Sequence, residues 1–326
     1  MVMAWLLPFV AFVLLPVADQ LLPMREDELE PTELEQRKTS LLYDIPLYLM
    51  LPIQWALVYL LLSECASLSF GDLNGIWLGW IFTIGICCGT FGINVAHELG
   101  HRNGWHSQWS AKGLLLSSLY LHFIIEHNQG HHRHVATEKD PATSRYNQTV
   151  YAFWLQSIVG SWQSAWQLES ERLKKHRLPW TNNEMIWFSL VELGLLFSML
   201  ALFGGIAVLS FGLAALVGIL LLETINYLEH YGLGRVLRKN GKFEQVQPHH
   251  SWNCNRSMGR LILFELTRHS DHHAHAKRPY QILRHYETAP QLPAGYPAMI
   301  LIALCPPLWF AIMNPRLQRY THPQSC

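Results

Sequence analysis

At 326 residues the chain is long enough for one large domain or two smaller ones, yet 50% of it is apolar and only 15% is charged. Soluble domains carry about 25% charged residues, so an ordinary soluble globular class is excluded and a membrane protein is indicated. Lysine plus arginine (24) balances aspartate plus glutamate (24), and no basic surplus points to nucleic acid.

The six cysteines, Cys65, Cys87, Cys88, Cys254, Cys305 and Cys326, contain no C-x-x-C pair. No disulfide framework or iron–sulfur site is therefore expected, and any electrons that the chemistry needs come from another protein. Histidine is the outlier of the composition. There are 18, none before His97, and most stand in a few tight groups.

Residues 1–18 are uncharged and just long enough to cross a hydrocarbon core of about 30 Å. The basic n-region of a signal peptide is missing, which favours a span. Residues 19–40 are polar, and read as a loop with an amphipathic approach helix. Apolar spans follow at about 45–63 and 75–96. The link between them has no lysine or arginine, so the positive-inside rule makes it external and places the 19–40 loop in the cytoplasm. The third span then delivers His97 to the cytoplasmic side.

Residues 113–125 are apolar but too short for a normal crossing. If they crossed, His127 to His132 would face away from His97, so a re-entrant or interfacial helix is expected there. Two further spans, about 185–203 and 206–225, are joined by Gly204-Gly205 as a tight hairpin that returns His230 to the cytoplasm. The last apolar run, 296–313, is interrupted by Pro306-Pro307. Adjacent prolines disfavour a continuous helix, and the run reads as an interfacial or docked segment. The expected fold is all-α: an integral-membrane helical bundle of about five spanning helices in a single domain, 1–326. A cytoplasmic histidine-rich cap comprises 97–183 and 226–326.

The histidine groups carry the chemistry. His97 and His101, in HELGHR, stand at i and i+4 as a helix leaves the bilayer. His127, His131 and His132 follow at i, i+4 and i+5 in EHNQGHH, and His269, His272 and His273 at i, i+3 and i+4 in RHSDHHA. Each spacing puts its imidazoles on one side of a helical turn, and neutral imidazole is a common metal ligand. His230 stands alone in NYLEHYGL, just after the last long span. Nine imidazoles are too many for one ion of coordination number four to six and about right for two.

Nitrogen-rich ligation suits iron, zinc, copper or nickel rather than magnesium or calcium. Two zinc ions suit hydrolysis, whereas two irons also permit O2 activation, which an apolar substrate drawn from a membrane requires. A di-iron centre ranks first. Taken alone, His97-Glu98-Leu99-Gly100-His101 matches the H-E-x-x-H zinc metalloprotease pattern, with Glu98 as general base. That site needs only three protein ligands, and this chain offers far more. Interfacial histidines without metal are the bland alternative, against which three groups and a singleton on one membrane face argue. Glu98, Asn226, Glu229 and Asp271 are candidates to orient the ligands. His134 and His275 lie beside ligand groups, His249 and His250 could support the site from a loop, and His322 reads as a surface residue.

HELGHR, EHNQGHH followed by RHVATEKDPATSR, NYLEHYGL, and HHSWNCN leading to RHSDHHA resemble the motifs of the integral-membrane alkane 1-monooxygenases. These belong to a wider membrane di-iron superfamily with fatty-acid desaturases and xylene-type methyl hydroxylases. The likeness runs from about residue 40 to 320. It implies that the nine histidines ligate two non-heme irons, with no flavin or heme. It further implies terminal hydroxylation of medium-chain n-alkanes to primary alcohols. O2 is the implied co-substrate, and rubredoxin, served by its NADH-dependent reductase, the donor. The setting implied is a bacterial inner membrane with the site facing the cytoplasm. The related alternatives are a desaturase and an aromatic methyl hydroxylase. The family usually has six spanning helices where five are counted here. Trp55, Trp77 and Trp80 are bulky enough to limit how deep an alkane chain reaches.

Overall fold

The computed structural model describes residues 2–24, 26 and 28–321. His322 and Cys326 lie outside the described residues. Among those described, every regular element is helical, and extended pairing is limited to isolated bridges.

Among the described residues, four helices are long and apolar enough to cross a membrane: Met3–Leu21, Leu41–Cys65, Gly75–Gly100 and Glu184–His230. The last has 47 residues, and at 1.5 Å per residue a straight helix of that length would run about 70 Å, more than twice a hydrocarbon core. It does not run straight. Gly204 adopts φ 83 and ψ 174, a region open essentially to glycine alone. That break divides the segment where the Gly204-Gly205 link was expected. Leu193, Phe197 and Leu202 on the first half are 63%, 73% and 76% exposed. Side chains so apolar and so uncovered fit a lipid surroundings rather than water.

Contacts divide the chain into two compact units. The first comprises Met1–Ala11, Ser40–Gln129 and Trp162–Leu222. Its apolar core joins Val58, Leu61 and Leu62 of Asp44–Cys65 to Ile84 and Cys88, and to Met199, Ala207, Phe211 and Ala214. Trp77 Nε1 donates to Ser210 Oγ at 2.8 Å. Farther along both helices, a Cβ on Gly218 would stand 2.9 Å from the Gly89 nitrogen. Glycine on both sides lets the two backbones touch, as small residues do between membrane helices. The pairing of 77 with 210 and of 89 with 218 makes these helices run in the same direction, as the count of five crossings requires. Trp55 and Trp77 pack against this core, and Trp55 Nε1 donates to the Gly113 carbonyl at 3.0 Å.

Two acids in the same unit have structural employment. Glu192 Oε1 accepts the Leu121 backbone N–H at 3.0 Å, and Glu184 pairs with Lys112 at 2.8 Å. The 113–125 run is not the single re-entrant helix expected from its apolarity. Helix Trp105–Leu116 ends inside it, Leu119 turns with φ 52, and a new helical stretch begins at Phe123. Apolarity measures burial and not backbone conformation, so a buried turn is invisible to it.

The second unit comprises Phe12–Thr39, Gly130–Ser161 and Glu223–Cys326. Large aromatics fill it: Tyr227, Tyr231, Trp252, Tyr296 and Trp309 are all buried. Trp252 Nε1 donates to the Tyr231 carbonyl at 2.9 Å, and the rings of Tyr227 and Trp309 lie 5.0 Å apart. The helix Glu184–His230 gives way to a turn, where Gly232, with φ 69, is the left-handed stop that glycine supplies. The 296–313 run breaks as its prolines require. Helices Tyr296–Ala303 and Pro306–Tyr320 meet at 119°.

Candidate metal centre

Three histidines converge within the first unit. His97 is the third residue of helix Val95–Gly100, and His101 follows at its C-terminal cap. His127 lies on the π-helical segment Glu126–His131. The His97 ring stands 5.1 Å from that of His101 and 4.4 Å from that of His127, and Nε2 of His127 lies 3.2 Å from Nε2 of His101.

In the second unit, His131, His230, His269 and His273 are all buried, and one ring nitrogen of each lies within 4.8 Å of the others. The Nε2 atoms pair closely, His131 with His273 at 3.2 Å and His269 with His230 at 3.2 Å. Beside them, Nε2 of His132 and Nε2 of His272 are 3.1 Å apart. So many imidazole nitrogens pointing at one another and away from water is an arrangement that a cation relieves. The donor set, nitrogen-rich and buried, suits a transition metal. Burial, then the neighbouring imidazoles, push the His273 pKa well below its ordinary value, which keeps the ring in the neutral, ligating form.

Asp140 orients this set. Its Oδ2 is 2.9 Å from His131 Nδ1, and Thr143 Oγ1 donates to the same oxygen at 2.5 Å. Burial pushes the Asp140 carboxyl up, but the His131 imidazole and the Thr143 hydroxyl prevail and hold it below the usual carboxylate range. An acceptor on Nδ1 fixes the tautomer that turns the Nε2 lone pair toward a metal.

The four acidic and amide candidates from sequence divide. Glu229 reaches the site: its Oε2 is 3.1 Å from His269 Nε2. Glu98 accepts from Arg102 Nη2 at 3.0 Å, and Arg102 also donates to Asp44 at 2.6 Å. A carboxylate held by that guanidinium is poorly placed as the general base of a protease. Asp271 takes Arg278 at 2.5 Å and the Arg284 backbone N–H at 2.7 Å. Asn226 donates to Glu223 at 3.2 Å. Asp140 was not singled out from sequence, although it lies nine residues after His131 within the quoted RHVATEKDPATSR.

Glu244, His249 and His250 form a third close group. His250 Nδ1 accepts the Gln247 backbone N–H at 3.0 Å, which leaves Nε2 as the donor to Glu244 Oε1 at 3.1 Å. With both ring nitrogens so used, His250 serves the loop fold rather than a metal.

The family model described as fatty acid desaturase matches residues 75–303, which include all nine histidines. Alkane 1-monooxygenase 2 of Pseudomonas aeruginosa is 41% identical, over 97% of this chain and 84% of its own. Alkane 1-monooxygenase 2 of Alcanivorax borkumensis is 42% identical, over 97% and 83%. The chain belongs to the alkane 1-monooxygenase family. The xylene/toluene monooxygenase hydroxylase component of Pseudomonas putida is similar at 31%, over 91% of this chain and 81% of its own. That identity is lower than the 41% and 42% to the two alkane 1-monooxygenases. The chain is accordingly a multi-pass membrane oxidoreductase of the monooxygenase class.

Proposed function

We propose that this protein converts medium-chain n-alkanes to primary alcohols, with O2 as oxidant and rubredoxin, reduced by its NADH-dependent reductase, as electron donor. The observation that carries this reading is the buried four-histidine set oriented by Asp140, in a chain 41% identical to an alkane 1-monooxygenase. The balance requires two electrons and two protons per turnover, one oxygen atom going to the alcohol and the other to water.

The nine histidines are proposed to hold two irons. His131, His230, His269 and His273 are proposed to serve one of them. Iron, when bound, supplies the activation of O2 that an unactivated C–H bond demands. The protein's part is to hold the ligands neutral and oriented, to exclude water, and to present the terminal methyl group. The substrate enters from the bilayer, with the site facing the cytoplasm of a bacterial inner membrane. Trp55 and Trp77, fixed by their indole hydrogen bonds to Gly113 and Ser210, are proposed to limit how far the chain descends.

Turnover tests the reading. Membranes carrying the protein are given octane, O2, rubredoxin, its reductase and NADH, and products are separated by gas chromatography. Octan-1-ol formation that needs every component is expected. An alkene, or no product from folded and metal-loaded protein, would refute the assignment.

A further inference from the structure

A carboxylate that serves a metal through a histidine contacts the nitrogen turned away from the metal, as Asp140 does at His131 Nδ1. Glu229 contacts the opposite side of its histidine. Its Oε2 lies 3.1 Å from His269 Nε2, the same atom that lies 3.2 Å from His230 Nε2. Oε2 thus stands at the ring nitrogen of His269 that faces His230.

Its other oxygen is anchored. Glu229 Oε1 accepts the Tyr296 hydroxyl at 2.8 Å, and its backbone carbonyl takes the Trp252 N–H at 2.8 Å. Glu229 and Tyr296 are buried, at 1% and 0% exposure, so water does not satisfy Oε2. Four neutral imidazoles around a ferrous ion would leave two positive charges uncompensated in a dry interior, at a substantial cost that one carboxylate halves in charge.

We infer that Glu229 is itself an oxygen ligand of the metal held by His131, His230, His269 and His273, poised by Tyr296, rather than a group acting from behind a histidine. The inference rests on the di-iron reading. In the neutral His269 tautomer that carries its proton on Nδ1, the Nε2 lone pair and the Glu229 carboxylate would both be available to an ion.

The test uses full-length protein purified anaerobically and reloaded with excess enriched ferrous iron, read by metal analysis and Mössbauer spectroscopy. The wild type is expected to hold two irons per chain. Glu229→Gln is expected to weaken one of them by 10-fold or more and to change the spectrum of that iron alone, even where excess metal restores occupancy. Two tightly held irons with an unaltered spectrum in Glu229→Gln would overturn the inference and leave the di-iron reading standing. Fewer than two irons in folded wild type would overturn both. If Glu229→Gln does not fold, Tyr296→Phe decides: a shift confined to one iron supports ligation, and an unchanged spectrum refutes it.

Discussion

Asp140 and His131 meet with Oδ2 2.9 Å from Nδ1, both side chains withdrawn from solvent. The other nitrogen of the same ring faces His273. The imidazole is thus gripped on one side and offered on the other. Asp140→Asn keeps the shape but weakens the acceptor and turns one of its two terminal atoms into a donor. Metal affinity is expected to fall about 10–100-fold, the usual consequence of disturbing a carboxylate behind a histidine ligand. Competitive titration against a chelator measures it, and unchanged affinity would remove Asp140 from the site.

Glu192 offers a test of how the segment before His127 is held. Its carboxylate accepts the Leu121 N–H beside the turn at Leu119. Glu192→Gln retains an acceptor oxygen and is expected to fold normally. Glu192→Leu leaves the amide unsatisfied and is expected to cost about 1–3 kcal/mol. Thermal unfolding in detergent distinguishes them; equal stability of the two variants would contradict this role.

Gly204→Ala isolates a backbone cost. Nothing lies within 4 Å of the position a Cβ would take, so any loss comes from φ 83 and ψ 174 alone. A destabilisation of about 1–3 kcal/mol is expected for a residue forced into that region. A variant as stable as the wild type would mean that the hairpin relaxes without penalty.

Acid should loosen the loop around His250. Burial pushes this histidine from its ordinary 6.5 down to about 4, against the attraction of Glu244. Between those values the unfolded segment binds the proton that the folded one refuses, so its stability declines as pH falls from about 6.5 toward 4. The protection of amides at residues 244–250, taken as the observed exchange rate relative to the intrinsic rate at each pH, is expected to fall over that window in the wild type and to fall much less in His250→Gln. A pH-independent protection factor in the wild type would contradict the assignment.

The nine candidate ligands stood out because helical spacing places i, i+3, i+4 and i+5 on one side, and sequence shows spacing directly. The Gly204 break and the Pro306-Pro307 bend were legible because these residues dictate backbone conformation. The orienting groups were not. Glu98, Asp271 and Glu229 each adjoin a histidine in sequence, but neighbours on a helix point about 100° apart. Glu98 therefore meets Arg102, and Asp271 meets Arg278 and His275. Glu229 touches His269, forty positions on, and Asp140 reaches His131 through a loop. Those partnerships are products of tertiary packing, which no local pattern records.

These histidines are expected to form two metal centres. The direct measurement is iron per chain in anaerobically purified protein, compared with His273→Ala, which removes one imidazole from the four-histidine set. Two irons in the wild type and about one in the variant are the expected result. A wild type that binds fewer than two, or a variant that keeps both, would contradict it.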